Sequence, residues 1–490
     1  MLRHSPSAAR TRRLALLVLC AGSLMVILDQ TIVNVALPSI QADLGFSQSG
    51  LAWVVNAYLI AFGGLLLLAG RLGDLIGRKR VFLAGLAVFT GASLWCGLST
   101  SQEMLIVARF VQGAGAAISS SVILGMIVTM FAEPGARAKA IGIYSFVGAG
   151  GASIGLLAGG VLTQILTWHW IFLVNLPIGI AVALLGVRLL RTDRGIGLRQ
   201  GADAVGATLV TVALMLGVYT ILRSADGGGD STRTVVLGAA TLGLLAGFVL
   251  RQVTAKNPLL SLRIFRSRQL TGGNVVLALM LAGMFGQFFL GCLYLQHVLH
   301  YDPLEIGLAY LPVAAMIGML SVGLSPRLNS RYGERTVLLA SLVSVVAGLT
   351  LLARAPVDGV YVVDVLPAFL LLGAGGGLGF PALVTLAMSG ATPSDSGLAS
   401  GVVNTTQQVG GALGLAVLAT LATVRTDLLL AEGHSSVAAL NGGYHLGFGV
   451  AAGIVAVGAL VAAVVLRPRQ ARGSTTAAGS TDDIRAETGA

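Results

Sequence analysis

Charge is what this sequence lacks. Only 10% of its 490 residues are Asp, Glu, Lys or Arg, where a soluble globular chain carries about 25%. With 55% of residues hydrophobic, that scarcity excludes a soluble domain and implies an integral membrane protein. Cysteine is nearly absent: Cys20, Cys96 and Cys292 all fall inside apolar runs, which excludes a disulfide framework or a thiolate metal site. There is no cluster of metal ligands, no nucleophile–His–acid set and no Walker-type nucleotide loop, so neither an enzyme nor an ATP-driven pump is indicated. No metal and no cofactor is expected. The alternating segments of about ten residues that mark an outer-membrane barrel are missing too, which leaves a helical bundle.

What is present is a series of long apolar runs. They predict spans near 14–37, 51–70, 80–98, 104–131, 137–163, 170–190, 203–222, 234–250, 270–296, 304–325, 335–353, 362–390, 400–424 and 444–466, fourteen in all. The first is too long for a signal peptide and ends in polar residues and Pro38 rather than a cleavage site, so it reads as a retained span. The even count puts both termini on one side. The net charge of +11 does not point to nucleic acid, because the basic residues follow the membrane topology. With a cytoplasmic N-terminus, only Arg223, Arg233, Arg354 and Arg425 fall on the outer side, and Arg109 lies within a span. The remaining Lys and Arg obey the positive-inside rule in a bacterial-type cell membrane and face anionic lipid. Residues 1–13 read as a cytoplasmic N-terminus, 224–232 as a flexible external loop and 467–490, rich in Ser, Thr, Gly and Ala, as a disordered cytoplasmic tail.

An internal repeat organises the spans. Gly50-Leu51-Ala52-Trp53 matches Gly307-Leu308-Ala309-Tyr310, and Arg71-Leu72 with Gly77 matches Arg327-Leu328 with Gly333. Gly113-Ala114-Gly115 matches Gly373-Ala374-Gly375, and Gly142, Gly151 and Gly155 match Gly401, Gly410 and Gly414 at one constant offset. Two parallel six-helix halves, 14–190 and 270–466, thus flank an inserted pair at 203–250. Parallel halves rocking about a midplane site are a common plan of secondary transporters.

Two charges lie inside the expected bilayer. Asp29 sits ~12 Å and Arg109 ~8 Å from the outer ends of the first and fourth spans, at the ~1.5 Å rise of a helix. A carboxylate there costs at least roughly 2.5–3.5 kcal/mol, so it is protonated, paired or facing a wet cavity. It is either a proton-binding group or an acid that only holds helices together; Arg109 either pairs with it or snorkels.

Four motifs carry a family resemblance. The loop Gly70-Arg71-Leu72-Gly73-Asp74-Leu75-Ile76-Gly77-Arg78-Lys79-Arg80 resembles the loop signature of the major facilitator superfamily. Arg109-Phe110-Val111-Gln112-Gly113-Ala114-Gly115 resembles its fourth-helix Arg motif. Gly151-Ala152-Ser153-Ile154-Gly155-Leu156-Leu157-Ala158-Gly159-Gly160 resembles its antiporter signature, with Leu156 in the place of a proline. Leu28–Pro38 and Trp168–Gly179, with His169 in the place of an arginine, are similar to the fourteen-span drug:proton antiporter family.

The resemblance implies a major facilitator fold and export of amphipathic small molecules driven by the proton-motive force. It assigns proton coupling to Asp29 and Arg109. It assigns a cytoplasmic gate to Gly70, Asp74, Gly77 and Arg78, with Ser330 replacing the acid in the second half. Gly151, Gly155, Gly159 and Gly160 become the antiporter-like helix. Polar and aromatic residues within spans, Asn34, Tyr58, Gln112, Gln287, Tyr294, Asn404 and Gln407, are candidates for a substrate cavity. A facilitator-fold importer of a nutrient or anion is the alternative.

Overall fold

A chain crossing hydrocarbon must satisfy every backbone N–H and C=O internally, and the apolar runs do so as helices. The computed structural model describes residues 6–466 except 132, 194, 196, 198–202, 224–230, 256–257, 260–261 and 390–395. The expected tail, most of the 224–232 loop and the connection at Asp395 lie outside the described residues.

Every regular element among the described residues is helical. The first half comprises α1 (Pro6–Leu44), α2 (Gln48–Ile76), α3 (Arg78–Gly97), α4 (Gln102–Met130), α5 (Pro134–Ile165), α6 (Trp170–Leu173) and α7 (Asn175–Leu189). Next come α8 (Ala204–Arg223) and α9 (Ser231–Thr254). The second half has α10 (Arg268–His297), α11 (Pro303–Met319), α12 (Ser325–Tyr332), α13 (Glu334–Leu352), α14 (Leu366–Ser389), α15 (Ser396–Ala431) and α16 (Ser436–Val465). Among the described residues twelve helical stretches are long and apolar enough to cross a membrane, and the shorter apolar stretches Ile154–Ile165 and Pro303–Met319 fall in the fifth and tenth expected spans.

The helices overrun the apolar windows. α1 begins at Pro6 rather than near Leu14, and α15 reaches Ala431, because helical hydrogen bonding does not stop at the edge of the hydrocarbon. Side chains set the starts. Ser47, Ser101, Ser267 and Ser435 accept from the backbone N–H groups of Gly50, Met104, Leu270 and Ala438. Asp302 and Glu305 form a capping box on α11. In the tenth span a π-helical turn, Leu320–Leu324, joins α11 to α12 beside Pro326, which has no N–H to give the i−4 carbonyl.

Glycines set the helix spacing, and the repeated ones occupy equivalent places. A Cβ on Gly113 would lie 2.3 Å from the Tyr58 carbonyl oxygen of α2, and one on Gly115 2.5 Å from the Phe89 nitrogen of α3. In the second half Gly373 abuts the Val313 carbonyl of α11 and Gly375 the Ser341 carbonyl of α13. Gly151 and Gly155 press α5 onto α1 as Gly410 and Gly414 press α15 onto α10. Gly77 (φ +101°) and Gly333 (φ +82°) each make the one-residue turn between two helices in a conformation that favours glycine.

The halves meet along α2 and α15, along α5 and α11, and more lightly where α1 meets α10. α8 packs on both α2 and α15, with Thr211 against Gly64 and Thr420 Oγ1 donating to the Ile221 carbonyl. α9 packs on α8. At their Arg251 end the two are tied by Asp203, which accepts from the Gly206 N–H, Arg251 Nε and Gln252 Nε2 at 2.9, 3.0 and 3.0 Å.

Candidate functional site

The first half encloses a buried polar network among otherwise apolar helices. Close approach at Gly113 and Gly115 lets side chains of α4 reach α2 and α3. Arg109 Nε donates to the Val54 carbonyl at 2.9 Å, and its Nη1 donates to Asp29 Oδ2 and to Gln112 Oε1, both at 2.6 Å. Gln112 Nε2 donates to Asp29 Oδ1 at 2.7 Å and to Ser93 Oγ at 2.8 Å. The Cys96 thiol approaches Gln112 Oε1 at 3.5 Å. The guanidinium lies 4.3 Å above the Tyr58 ring and 5.6 Å from the Phe172 ring, a cation–π arrangement that helps hold a charge out of water. Asp29 and Arg109 are 0% and 1% exposed.

Asn175 Nδ2 completes the set, donating to Asp29 Oδ1 at 3.1 Å. A helix break places it there. Pro177 cannot donate to the Leu173 carbonyl, so the chain ends α6, turns at Val174 and restarts as α7 at Asn175. Neither this residue nor Ser93 is among the sequence-predicted site residues. A lone Asn within an apolar span is the signal that was available.

Such an ion pair does not exist for stability alone. Taking two charges out of water costs several kcal/mol per ion, offset only by close geometry and complete hydrogen bonding. Here both carboxylate oxygens and three guanidinium contacts are used. The equivalent place in the second half, by the offset linking Gly113 to Gly373, holds Phe369, whose ring lies 4.7 Å from that of Tyr310. Among the described residues, this fully buried ion pair has no counterpart in the second half.

At the loop joining α2 to α3, Arg78 Nη2 meets Asp74 Oδ1 at 3.3 Å and Arg78 Nη1 donates to the Gly125 carbonyl at 3.1 Å. The pair forms across the Gly77 turn rather than along one helix. Ser330, in the place of the acid in the second half, turns its hydroxyl to its own helix at the Arg327 carbonyl. The loop has a partner the sequence did not reveal. Asp193, just after α7, accepts from the backbone N–H groups of Arg78 at 2.9 Å and Lys79 at 3.3 Å. Lys79 Nζ in turn donates to the carbonyls of Val187 and Leu190 at 2.7 Å. The start of α3 and the end of α7 thus cap each other. Partial burial pushes the Asp193 carboxyl up, but the two N–H groups and the Arg78 charge outweigh it and hold the group below the ordinary carboxylate value.

The antiporter-like helix α5 is continuous through Leu156. It presents two glycine faces. Gly151, Gly155 and Gly159 lie against Leu24, Leu28, Thr31 and Ile32 of α1, on either side of Asp29. Gly160 lies against Pro303 and Leu304 of α11, while Gly307 faces the Leu156 carbonyl, and Gln164 Nε2 donates to Asp302 Oδ2 at 3.0 Å. This contact between the halves is at the end of the molecule far from Gly77. Gly70, by contrast, has only Ser121 nearby.

The cavity candidates are not brought together. Tyr58 and Gln112 are fully buried parts of the Asp29 network. Gln287 and Tyr294 are buried as well, with Gln287 Nε2 donating to the Tyr310 hydroxyl at 3.3 Å and the Tyr294 hydroxyl to the Pro356 carbonyl at 2.9 Å. In this conformation those four present no surface to a cavity, because burial has committed them to helix contacts. Asn34 donates to the Gln30 carbonyl of its own helix. Asn404 is exposed and Gln407 half-buried, both on α15.

The sequence profile of the Major Facilitator Superfamily matches residues 19–415. The chain is 40% identical over 479 residues to the puromycin resistance protein pur8 of Streptomyces alboniger, covering 96% of this chain and 94% of that one. It is 39% identical over 420 residues to the cephamycin export protein CmcT of Amycolatopsis lactamdurans, covering 85% and 86%. The tetracenomycin C resistance and export protein of Streptomyces glaucescens is 34% identical, covering 86% and 78%. Among solved structures, a bacterial homolog of the human lysosomal transporter Spinster in an inward-facing, occupied conformation superposes with a TM-score of 0.65 at 15% identity, covering 92% of this chain and 96% of that one.

Proposed function

The chain belongs to the Major Facilitator Superfamily, and we propose that it is a fourteen-span proton-coupled antiporter that exports amphipathic small molecules of the antibiotic class by alternating access. The observation that carries the coupling is the Asp29–Arg109 pair, closed at 2.6 Å and fully buried. The names of the relatives support export over import and suggest the kind of cargo. Both termini are cytoplasmic in this reading, and the contact between α5 and α11 is external.

A proton binding to Asp29 from outside neutralises the carboxylate and releases Arg109 from its counter-charge, while Val54, Gln112 and Tyr58 still hold the guanidinium. α1 is then free to shift against α4. α5 is packed on α1 through Gly151, Gly155 and Gly159 and on α11 through Gly160, so movement of α1 reaches the second half directly. Asp74, Arg78 and Asp193 tie the cytoplasmic ends of α2, α3, α4 and α7 together, so that the first half rocks as one body. The driving force suffices: one charge crossing ~100 mV yields about 2.3 kcal/mol, roughly a fifty-fold gradient.

Everted vesicles from an expressing host, acidified inside and challenged with antibiotics and dyes including puromycin, test the reading. Lumenal alkalinisation on adding a compound is the expected result. A wild-type protein that exports such compounds in cells yet never moves protons in vesicles overturns the coupling.

A further inference from the structure

As the proton-binding group Asp29 alternates between carboxylate and neutral carboxyl, and the network is built for only one of these. A carboxylate accepts from every neighbour. A carboxyl must donate once, so one neighbour must become an acceptor. Arg109 has no acceptor. The Gln112 amide is fixed at both ends, its Oε1 taking Arg109 Nη1 and its Nε2 spanning Asp29 and Ser93. Asn175 differs. Its Nδ2 donates to Asp29 Oδ1, yet its Oδ1 is buried with no hydrogen-bond partner among the described residues. Asn175 is itself 0% exposed, and an orphaned acceptor in such a place is costly.

We propose that Asn175 reads the protonation state of Asp29, donating to the carboxylate as seen here and turning its amide over to accept from the carboxyl O–H once Asp29 is protonated. The proposal rests on Asp29 being the proton-binding group. The turn exchanges Nδ2 and Oδ1 in place, 3.1 Å from Asp29, so it needs no backbone movement. The titratable and charged groups around the site are Asp29 on α1, Tyr58 on α2, Cys96 on α3 and Arg109 on α4. The Tyr58 ring lies under the guanidinium and the Cys96 thiol is turned to Gln112, whereas Asn175 is already in contact with Asp29. Asn175 is a positioning residue. It begins α7, whose far end carries the Val187 and Leu190 carbonyls that hold Lys79 of the gate loop, so an amide that responds to the proton sits on the same helix as the cytoplasmic brace.

Infrared difference spectroscopy of the full-length protein in nanodiscs, titrated with acid alone, tests this without knowing the cargo. Asp29→Asn assigns the Asp29 carboxyl band, and asparagine labelled with carbon-13 at the side-chain carbonyl, compared with Asn175→Leu, assigns the Asn175 band. Acid is expected to bring up the carboxyl band and shift the Asn175 carbonyl band together. In Asn175→Leu, which keeps the branched shape of Asn but has neither donor nor acceptor, the carboxyl band moves to higher frequency. In Asn175→Ser, whose hydroxyl both donates and accepts, it stays near the wild-type position. A carboxyl band that titrates in wild type with no accompanying Asn175 shift, or that is unchanged in Asn175→Leu, overturns the proposal and leaves the role of Asp29 standing. No Asp29 band at any accessible pH overturns both. If Asn175→Leu does not fold, the labelled wild-type band and Asn175→Ser still decide.

Discussion

Removing one member of the Asp29–Arg109 pair should cost far more than removing both. Arg109→Met deletes the 2.6 Å contact with Asp29 and the donors to Val54 and Gln112, leaving a buried carboxylate with only amide partners. Asp29→Leu leaves the guanidinium with a carbonyl, an amide oxygen and the face of Tyr58. Each single loss should destabilise by about 3–5 kcal/mol, whereas replacing a buried pair by apolar residues of similar volume is often neutral or stabilising. The double variant should therefore recover most of the loss: two singles of about 3–5 kcal/mol each and a double near wild type correspond to a coupling of roughly 6–10 kcal/mol. Thermal unfolding in detergent, followed by intrinsic tryptophan fluorescence, reads this. At no more than roughly 2–4 °C per kcal/mol for a chain of this size, each single variant should melt several degrees low and the double close to wild type. Additive losses in the double variant would refute the view that these charges are held in place by each other.

Further outcomes follow from the same contacts. Asp193→Ala should weaken the cap between α3 and α7 by about 0.5–2 kcal/mol, toward the low end because Asp193 is exposed and screened. Because the Asp193 carboxyl sits below its ordinary value of about 3.9, its contribution is complete above that value and lost as pH falls through the lower folded value. The stability difference between Asp193→Ala and wild type should thus persist at neutral pH and vanish only below about pH 4. Gly85→Ala puts a Cβ 2.3 Å from the Ser119 nitrogen and should cost about 1–3 kcal/mol in melting experiments. Gly91→Ala, with nothing within 4 Å, should be neutral or mildly stabilising. Asp203→Ala removes the two side-chain donors that tie α9 to the start of α8 and should cost about 1–3 kcal/mol, read as a lower melting temperature.

Much of this was legible in the sequence because the membrane simplifies the code. Apolar length marks a span, basic residues mark a side, and a charge inside a span demands an explanation; the similar depths of Asp29 and Arg109 allowed their pairing but left snorkelling of Arg109 open. Among the repeated glycines, Gly113, Gly115, Gly155, Gly373, Gly375, Gly410 and Gly414 sit at backbone contacts between helices that leave no room for a side chain, and Gly77 and Gly333 sit at turns. What the sequence hid was partnership through the backbone and between distant segments. The Val54 carbonyl has no identity as a residue type, Asp193 reads as one more loop acid, and Asn175 matters only because a proline-induced break turns it toward Asp29. Tyr58 and Gln112 were grouped with cavity residues because a polar side chain in a span looks the same whether it faces substrate or a buried charge.

The central claim is that Asp29 carries the proton. The most direct measurement is exchange by purified wild type and Asp29→Asn in proteoliposomes with an imposed pH gradient, using a compound the wild type transports. Wild type should build up the compound against its gradient, and Asp29→Asn should only equilibrate it, with no proton flux accompanying its movement. Full gradient-driven accumulation by Asp29→Asn would contradict the account.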